Sequence, residues 1–165
     1  MPLDDFNRAT PADAARTAAV WAAVPHWVDA VVAGRPYASV DDAAAAAERA
    51  AADWGAAELD AALAHHPRIG QRPMGPGAEA DASRREQAAM STAGDDVTAA
   101  IAAANAAYET RFGRVFLIRA AGRSPAEMLA EARRRLGNDD HTETGEALDQ
   151  LRQIALLRLR TTLGD

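Results

Sequence analysis

The sequence contains no cysteine, few aromatic residues and no long apolar run. The absence of cysteine excludes disulfide bonds, thiolate nucleophiles and metal sites that use cysteine ligands. Because no run of about 18 apolar residues occurs, we expect no membrane span and no membrane partner. The chain also lacks an N-terminal signal pattern and a C-terminal anchor or retrieval signal, which predicts a cytoplasmic protein.

The composition predicts an alanine-rich helical domain rather than a nucleic-acid-binding module. The formal net charge is -6, and an acidic protein is a poor general binder of nucleic acid, so no nucleic-acid partner is expected. A length of 165 residues fits one domain, residues 1–165. Alanine dominates the apolar residues, and it favours helix while letting helices approach closely.

Helix start and stop signals predict an all-α fold, a single compact domain of about seven to nine helices. Thr10-Pro11 reads as an N-cap followed by a first-turn proline, and Ser124 with Glu127 has the spacing of a capping box. The apolar run 115–118 is expected to be extended and buried. Helices are predicted over about 11–24, from 25 to Gly34, 39–54, 56–64, from Ser83 onward, 95–112, 124–136 and 142–163.

The stretch from His65 to Gly77 interrupts this helical pattern, because its prolines and glycines exclude a regular helix. Long ordered loops inside compact domains are often functional. His66 precedes Pro67, which favours an extended backbone at His66. An imidazole held there can act as a general acid or base near neutral pH, and a surface or capping histidine is the ordinary alternative. His65 is the weaker candidate.

Glu86 and Arg158 each allow a structural and a functional interpretation. Ser83 and Glu86 have capping-box spacing, so Glu86 either satisfies a backbone N–H or faces the loop from a helix N-terminus and binds a polar substrate. Arg158 falls on the apolar stripe of the last helix. A guanidinium on a buried face needs an anionic partner, either an internal Asp or Glu or an oxygen of a bound ligand.

The sequence offers little for a metal or an organic cofactor, and we expect neither. No H-E-x-x-H motif and no histidine pair at i, i+4 are present, and His65 and His66 are adjacent, which disfavours a shared ion. No glycine-rich phosphate loop follows a strand. A metal hydrolase built on His65, His66 and Glu86 is therefore a weak third interpretation, which activity in the presence of a chelator would exclude.

Three motifs stand out in the sequence, together with short segments nearer both ends. The motifs are His66-Pro67-Arg68-Ile69-Gly70, Ser83-x-x-Glu86-Gln87 and Asn105-x-x-Tyr108 with Phe112-Gly113, and the further segments are Phe6-Asn7, Arg35-Pro36-Tyr37, Phe116-Leu117-Ile118 and Arg158-Leu159. In order and spacing the motifs resemble those of the OHCU (2-oxo-4-hydroxy-4-carboxy-5-ureidoimidazoline) decarboxylase family, and the further segments extend the resemblance over nearly the whole chain.

The resemblance implies an all-α homodimer that decarboxylates OHCU to (S)-allantoin in urate breakdown, without metal or organic cofactor. It implies catalytic roles for His66 and Glu86. Arg119 departs from the family pattern, because it places a charge where many members have a small or apolar residue. The residues implied to bind substrate are Pro67, Ser83, Gln87 and Arg158, with backbone groups of Leu117, Ile118 and Arg119.

These implied roles suggest how the reaction would be assisted. Loss of carbon dioxide leaves negative charge on the substrate ring, which the backbone N–H of Ile118 and the Arg158 guanidinium could stabilise. Glu86 would hold the hydroxyl or ureido groups, and His66 would manage a proton. The competing hypothesis is a non-catalytic helical ligand-binding or interaction domain, which would present an apolar groove instead of a polar pocket.

Overall fold

The computed structural model describes residues 1–66, 68–70, 77–88, 90 and 94–164. Within these ranges the chain forms nine helices and no strand, which confirms the predicted all-α class and the predicted number of helices. None of these helices combines the length and the apolar character that a membrane-spanning segment requires. The helices are α1 (Leu3–Arg8), α2 (Pro11–Trp21), α3 (Pro25–Ala33), α4 (Val40–Ala50), α5 (Ala56–Leu63), α6 (Ala78–Glu86), α7 (Asp95–Phe112), α8 (Pro125–Arg135) and α9 (Asp140–Leu163).

The chain groups into two units, and the first consists of residues up to Ala62 together with those from Arg152 onward. Tryptophans organise its core: the Trp21 ring lies 5.2 Å from that of Phe6, and the Trp27 ring 5.7 Å from that of Trp54. Two of the buried indole N–H groups find acceptors: Trp27 donates to the Ala47 carbonyl at 2.9 Å and Trp21 donates to the Thr162 hydroxyl at 3.0 Å. These few aromatic side chains therefore account for much of the packing in the first unit.

The second unit, Leu63–Leu151, contains the loop and the motifs singled out above. Its core is a cluster that α7, α8 and the segment 116–120 share, with Tyr108 at its centre. The Tyr108 ring lies 4.7 Å from the Phe112 ring and 5.1 Å from the Phe116 ring. That residues 1–165 fold as one domain stays a prediction.

The predicted capping box at the start of α8 is confirmed. The Glu127 backbone N–H donates to the Ser124 hydroxyl at 3.1 Å, and the Ser124 N–H donates to the Glu127 carboxylate at 3.2 Å. We expect Ser124→Ala to lower the free energy of unfolding by about 1 kcal/mol, as measured by urea denaturation. Ser124→Asp, which can still cap, should stay close to the wild type. Equal unfolding midpoints for the alanine variant and the wild type would contradict this role.

Candidate active site

His66 lies just beyond the end of α5, where its backbone N–H donates to the Leu63 carbonyl at 3.2 Å. Its side chain is half-buried, whereas that of its neighbour His65 is exposed. The choice of His66 over His65 as the catalytic candidate stays a prediction. Pro67, predicted to shape the loop and bind substrate, lies outside the described residues.

Three side chains hold the segment that follows. The Gln87 Oε1 accepts from the Gly70 backbone N–H at 3.1 Å, and the buried Asn105 donates to the Ile69 carbonyl at 2.8 Å. Arg68 donates to Glu109 through Nε and Nη2, the latter at 3.0 Å. These contacts link residues 68–70 to the end of α6 and to α7, so the loop that carries His66 is anchored on both sides.

Gly70 is needed for this path, because its φ of +86° lies in the left-handed region. An L side chain rarely adopts that conformation, whereas glycine does so without steric cost. The glycine thus adopts the conformation in which its own N–H reaches Gln87 while the neighbouring Ile69 carbonyl accepts from Asn105. The backbone conformation at Gly70 therefore explains why the motif that begins with His66 ends in glycine.

Helix α6 begins at Ala78, so the predicted start at Ser83 is wrong. Ser83 lies inside the helix and is 2% exposed, and Glu86 is its last residue, half-buried. The capping-box interpretation of Ser83 and Glu86 fails with that boundary, as does the placement of Glu86 at a helix N-terminus. A carboxylate at a helix C-terminus is unfavourable for the helix dipole, so the dipole does not explain why Glu86 lies there.

The apolar run before α8 is buried and non-helical, as predicted. Phe116, Ile118 and Ala120 belong to the core cluster of the second unit, and this alternation indicates an extended backbone. Side chains rather than a strand partner hold it. Arg119 donates its backbone N–H to Gln150 at 2.9 Å, and its carbonyl accepts from the Arg123 Nε at 3.0 Å.

A buried ion pair supports the same run. Arg135 is 1% exposed and Glu143 is 2% exposed, and the guanidinium donates to the carboxylate through Nε at 2.9 Å and Nη2 at 2.5 Å. Its Nη1 donates to the Leu117 carbonyl at 2.8 Å. The Tyr108 hydroxyl donates to Glu143 at 2.5 Å. Burial, followed by this hydrogen bond, raises the pKa of Tyr108 well above its usual range, so the phenol remains a donor.

Arg135 is the last of three consecutive arginines in α8 and is buried, and it is not among the site residues predicted from the sequence. The helical spacing of the buried positions in α8 would have indicated that Arg135 is buried. Met128, Ala132 and Arg135 all lie on the buried face of α8, in the i, i+4, i+7 pattern. A guanidinium in that stripe must have a buried acceptor.

Arg158 lies in α9 and is 4% exposed, which confirms that it sits on the buried face of that helix. Its Nη1 donates to the Val20 carbonyl at 2.8 Å, within the first unit. A backbone carbonyl therefore accounts for one of its donors.

A cavity of about 180 Å³ opens beside the anchored loop, between residues 68–70 and one face of α7. Its lining includes Asn105 and the Arg68–Glu109 pair, but not His66 or Glu86. We therefore do not assign it to the substrate. Among the residues described, no three His, Asp or Glu side chains come together as a metal site requires.

Comparison with known proteins gives a consistent result. A model of the OHCU decarboxylase family matches residues 7–160. The chain is 31% identical over 126 residues to the 2-oxo-4-hydroxy-4-carboxy-5-ureidoimidazoline decarboxylase of Haloferax volcanii, covering 76% of this chain and 73% of that protein. It is 32% identical over 135 residues to the decarboxylase of the same name from Amia calva, covering 79% and 76%.

A crystal structure of an OHCU decarboxylase in the presence of (S)-allantoin superposes with a TM-score of 0.74 at 22% identity. That match covers 88% of this chain and 96% of the other. At this identity the superposition establishes the helical fold that the two proteins share.

Proposed function

Because the chain belongs to the OHCU decarboxylase family, we propose that it converts OHCU to (S)-allantoin. The bond between the ring and the carboxylate breaks and carbon dioxide leaves. The electron pair remains on the ring, where a proton then adds from one face. The reaction class is that of a carboxy-lyase in urate degradation.

One contact carries the assignment of the reacting groups: the hydrogen bond between Gln87 and Gly70. It ties the residue after Glu86 to the loop that begins with His66. Together with the position of Glu86, which the helix dipole does not favour, this supports a site shared by the loop and the end of α6. A titratable imidazole and a carboxylate would then serve one substrate.

Each group has a proposed task. His66 lies by the carboxylate or hydroxyl of the substrate and acts there as a general acid or base. Glu86 accepts hydrogen bonds from the hydroxyl or ureido groups and keeps the leaving carboxylate out of the ring plane. The remaining proposed substrate-binding groups are Pro67, the Ser83 hydroxyl, the Gln87 amide N–H, the Arg158 guanidinium and backbone groups of Leu117, Ile118 and Arg119.

The Gln87 contact refines the sequence-based role of that residue. Its amide oxygen accepts from Gly70, so the NH₂ group remains for a substrate oxygen. A carboxamide can serve both partners at once, with its acceptor toward the loop and its donors toward the ligand. The proposed role of Gln87 is therefore twofold.

The proposed activity is tested by following optical rotation or circular dichroism after the protein is added to freshly generated OHCU. Spontaneous decay is not stereoselective, so an active enzyme is expected to produce an optically active product at once. The heat-denatured protein serves as the control. If substrate disappears at the buffer rate and the product stays racemic, the proposal fails and the interaction-domain hypothesis takes its place.

We also propose that the protein is a cytoplasmic homodimer, in line with the family resemblance. Light scattering during gel filtration measures the mass in solution. A single species of monomer mass at micromolar concentration would contradict the dimer.

A further inference from the structure

Two peptide groups on either side of Ile118 are anchored by buried or half-buried side chains. The Leu117 carbonyl accepts from Arg135 at 2.8 Å, and the Arg119 N–H donates to Gln150 at 2.9 Å. Both peptide bonds are trans, so the N–H and C=O of each point in opposite directions. Fixing the Leu117 carbonyl therefore fixes the direction of the Ile118 N–H, and fixing the Arg119 N–H does the same for the Ile118 carbonyl.

The polar backbone groups of Ile118 itself have no hydrogen-bond partner among the described residues. Ile118 is only 3% exposed, and buried backbone groups are normally paired. Its side chain packs into the core cluster of the second unit, so the residue cannot rotate freely. The anchors thus hold a donor and an acceptor in fixed directions with their hydrogen-bonding capacity still available.

Stability alone does not account for the buried Arg135–Glu143 ion pair. Replacing a buried ion pair with apolar side chains of similar volume is often neutral or stabilising, because desolvation offsets the Coulomb gain. The ion pair also presents a hydrogen-bond donor to the backbone, which apolar side chains cannot provide. One side of the guanidinium binds Glu143 through Nε and Nη2, while Nη1 remains for the Leu117 carbonyl.

The surroundings leave the guanidinium little freedom to move. Its carbon lies 4.6 Å from the centre of the Phe116 ring, and Tyr108 and Asn138 donate to the same Glu143 carboxylate at 2.5 and 3.0 Å. The planar fork of arginine donates to the carboxylate through two nitrogens and to the carbonyl through the third, whereas the three N–H donors of lysine all lie on one nitrogen.

We propose that Arg135 is a positioning residue of the decarboxylase, which aims the Ile118 N–H at the substrate by holding the Leu117 carbonyl. Glu143 and Tyr108 orient Arg135, and Gln150 holds the other side of the same segment. The inference rests on the proposed function, in which backbone groups of 117–119 bind substrate. It adds the side chains that direct those groups.

The test compares Arg135→Lys and Gln150→Leu with Arg134→Lys as the matched control. Arg134 is the preceding residue of α8, and it pairs with Glu131 and Glu146 at the surface. We expect each of the first two variants to lower kcat about tenfold, with KM changed less, because a donor aimed at developing charge acts mainly in the transition state. The control should keep the wild-type kcat.

A second readout separates positioning from general stability. The Ile118 and Arg119 amide signals in ¹⁵N NMR spectra should shift in both variants at a temperature where each is fully folded. Because both side chains act on one segment, the double variant should lose less than the product of the two single losses. A merely structural role would lower the melting temperature and leave kcat of the folded protein and these amide signals unchanged.

The outcomes are distinguishable. A wild type without activity on OHCU overturns the proposed function, and the inference with it. An active wild type, with both variants keeping its kcat and its Ile118 amide shift, overturns the inference alone. If Arg135→Lys does not fold, Gln150→Leu decides, since it removes an uncharged anchor and leaves the ion pair intact.

Discussion

Replacement of His66 by asparagine is expected to lower kcat/KM for OHCU by about 10²- to 10⁴-fold, the range found when a general acid or base is lost. Asparagine keeps a polar side chain of similar reach but cannot exchange a proton near neutral pH. Initial rates on freshly generated substrate measure the effect, and far-ultraviolet circular dichroism checks that the helical content is unchanged.

The chain provides a matched control at the preceding position. His65 is exposed, whereas His66 is half-buried beside the anchored loop. His65→Asn makes the same chemical change one residue away and should leave the rate within about twofold of the wild type, as expected for a surface substitution. Equal losses in both variants, or none in His66→Asn, would remove His66 from the reaction.

The sequence predicts helices well where capping signals mark their ends. The Thr10 and Ser124 caps lie where the pattern places them, and α7 ends at Gly113, which adopts a φ of +69°. The start of α6 is different, because its N-cap, Gly77, makes no side-chain hydrogen bond. With no capping residue there, the Ser83-x-x-Glu86 pattern inside the helix was mistaken for its beginning.

Only those residues of the candidate site that belong to a local sequence motif could be predicted from the sequence. His66, Glu86 and Gln87 belong to such motifs, and a hydrogen bond between Gln87 and Gly70 links the two segments that contain them. The Arg135–Glu143 pair connects α8 and α9, and its third partner is a backbone carbonyl of a different segment. No sequence pattern specifies which carbonyl a buried guanidinium will bind, because the fold sets that choice.

Glu86→Gln is expected to change stability and activity in opposite directions, because Glu86 lies at the C-terminal end of α6. Glu86→Gln removes a charge that interacts unfavourably with the C-terminal end of the α6 dipole, so the melting temperature should hold or rise slightly. The same change weakens a hydrogen bond from substrate to a charged acceptor, worth about 1.5–3 kcal/mol. We therefore expect kcat/KM to fall by roughly 10- to 150-fold.

Asp81→Asn is the matched control for Glu86→Gln, because it removes one negative charge from an exposed position of the same helix, where Asp81 pairs with Arg84. An exposed pair of this kind contributes at most about 1 kcal/mol and touches no substrate, so the rate should be unchanged. Glu86→Gln with full activity would show that the carboxylate does not bind OHCU. Equal losses in both variants would show that the charge of α6, and not Glu86 itself, sets the rate. Lost activity with a retained melting temperature is the result that places the Glu86 carboxylate in the reaction, because a helix-stabilising role predicts the opposite change in stability.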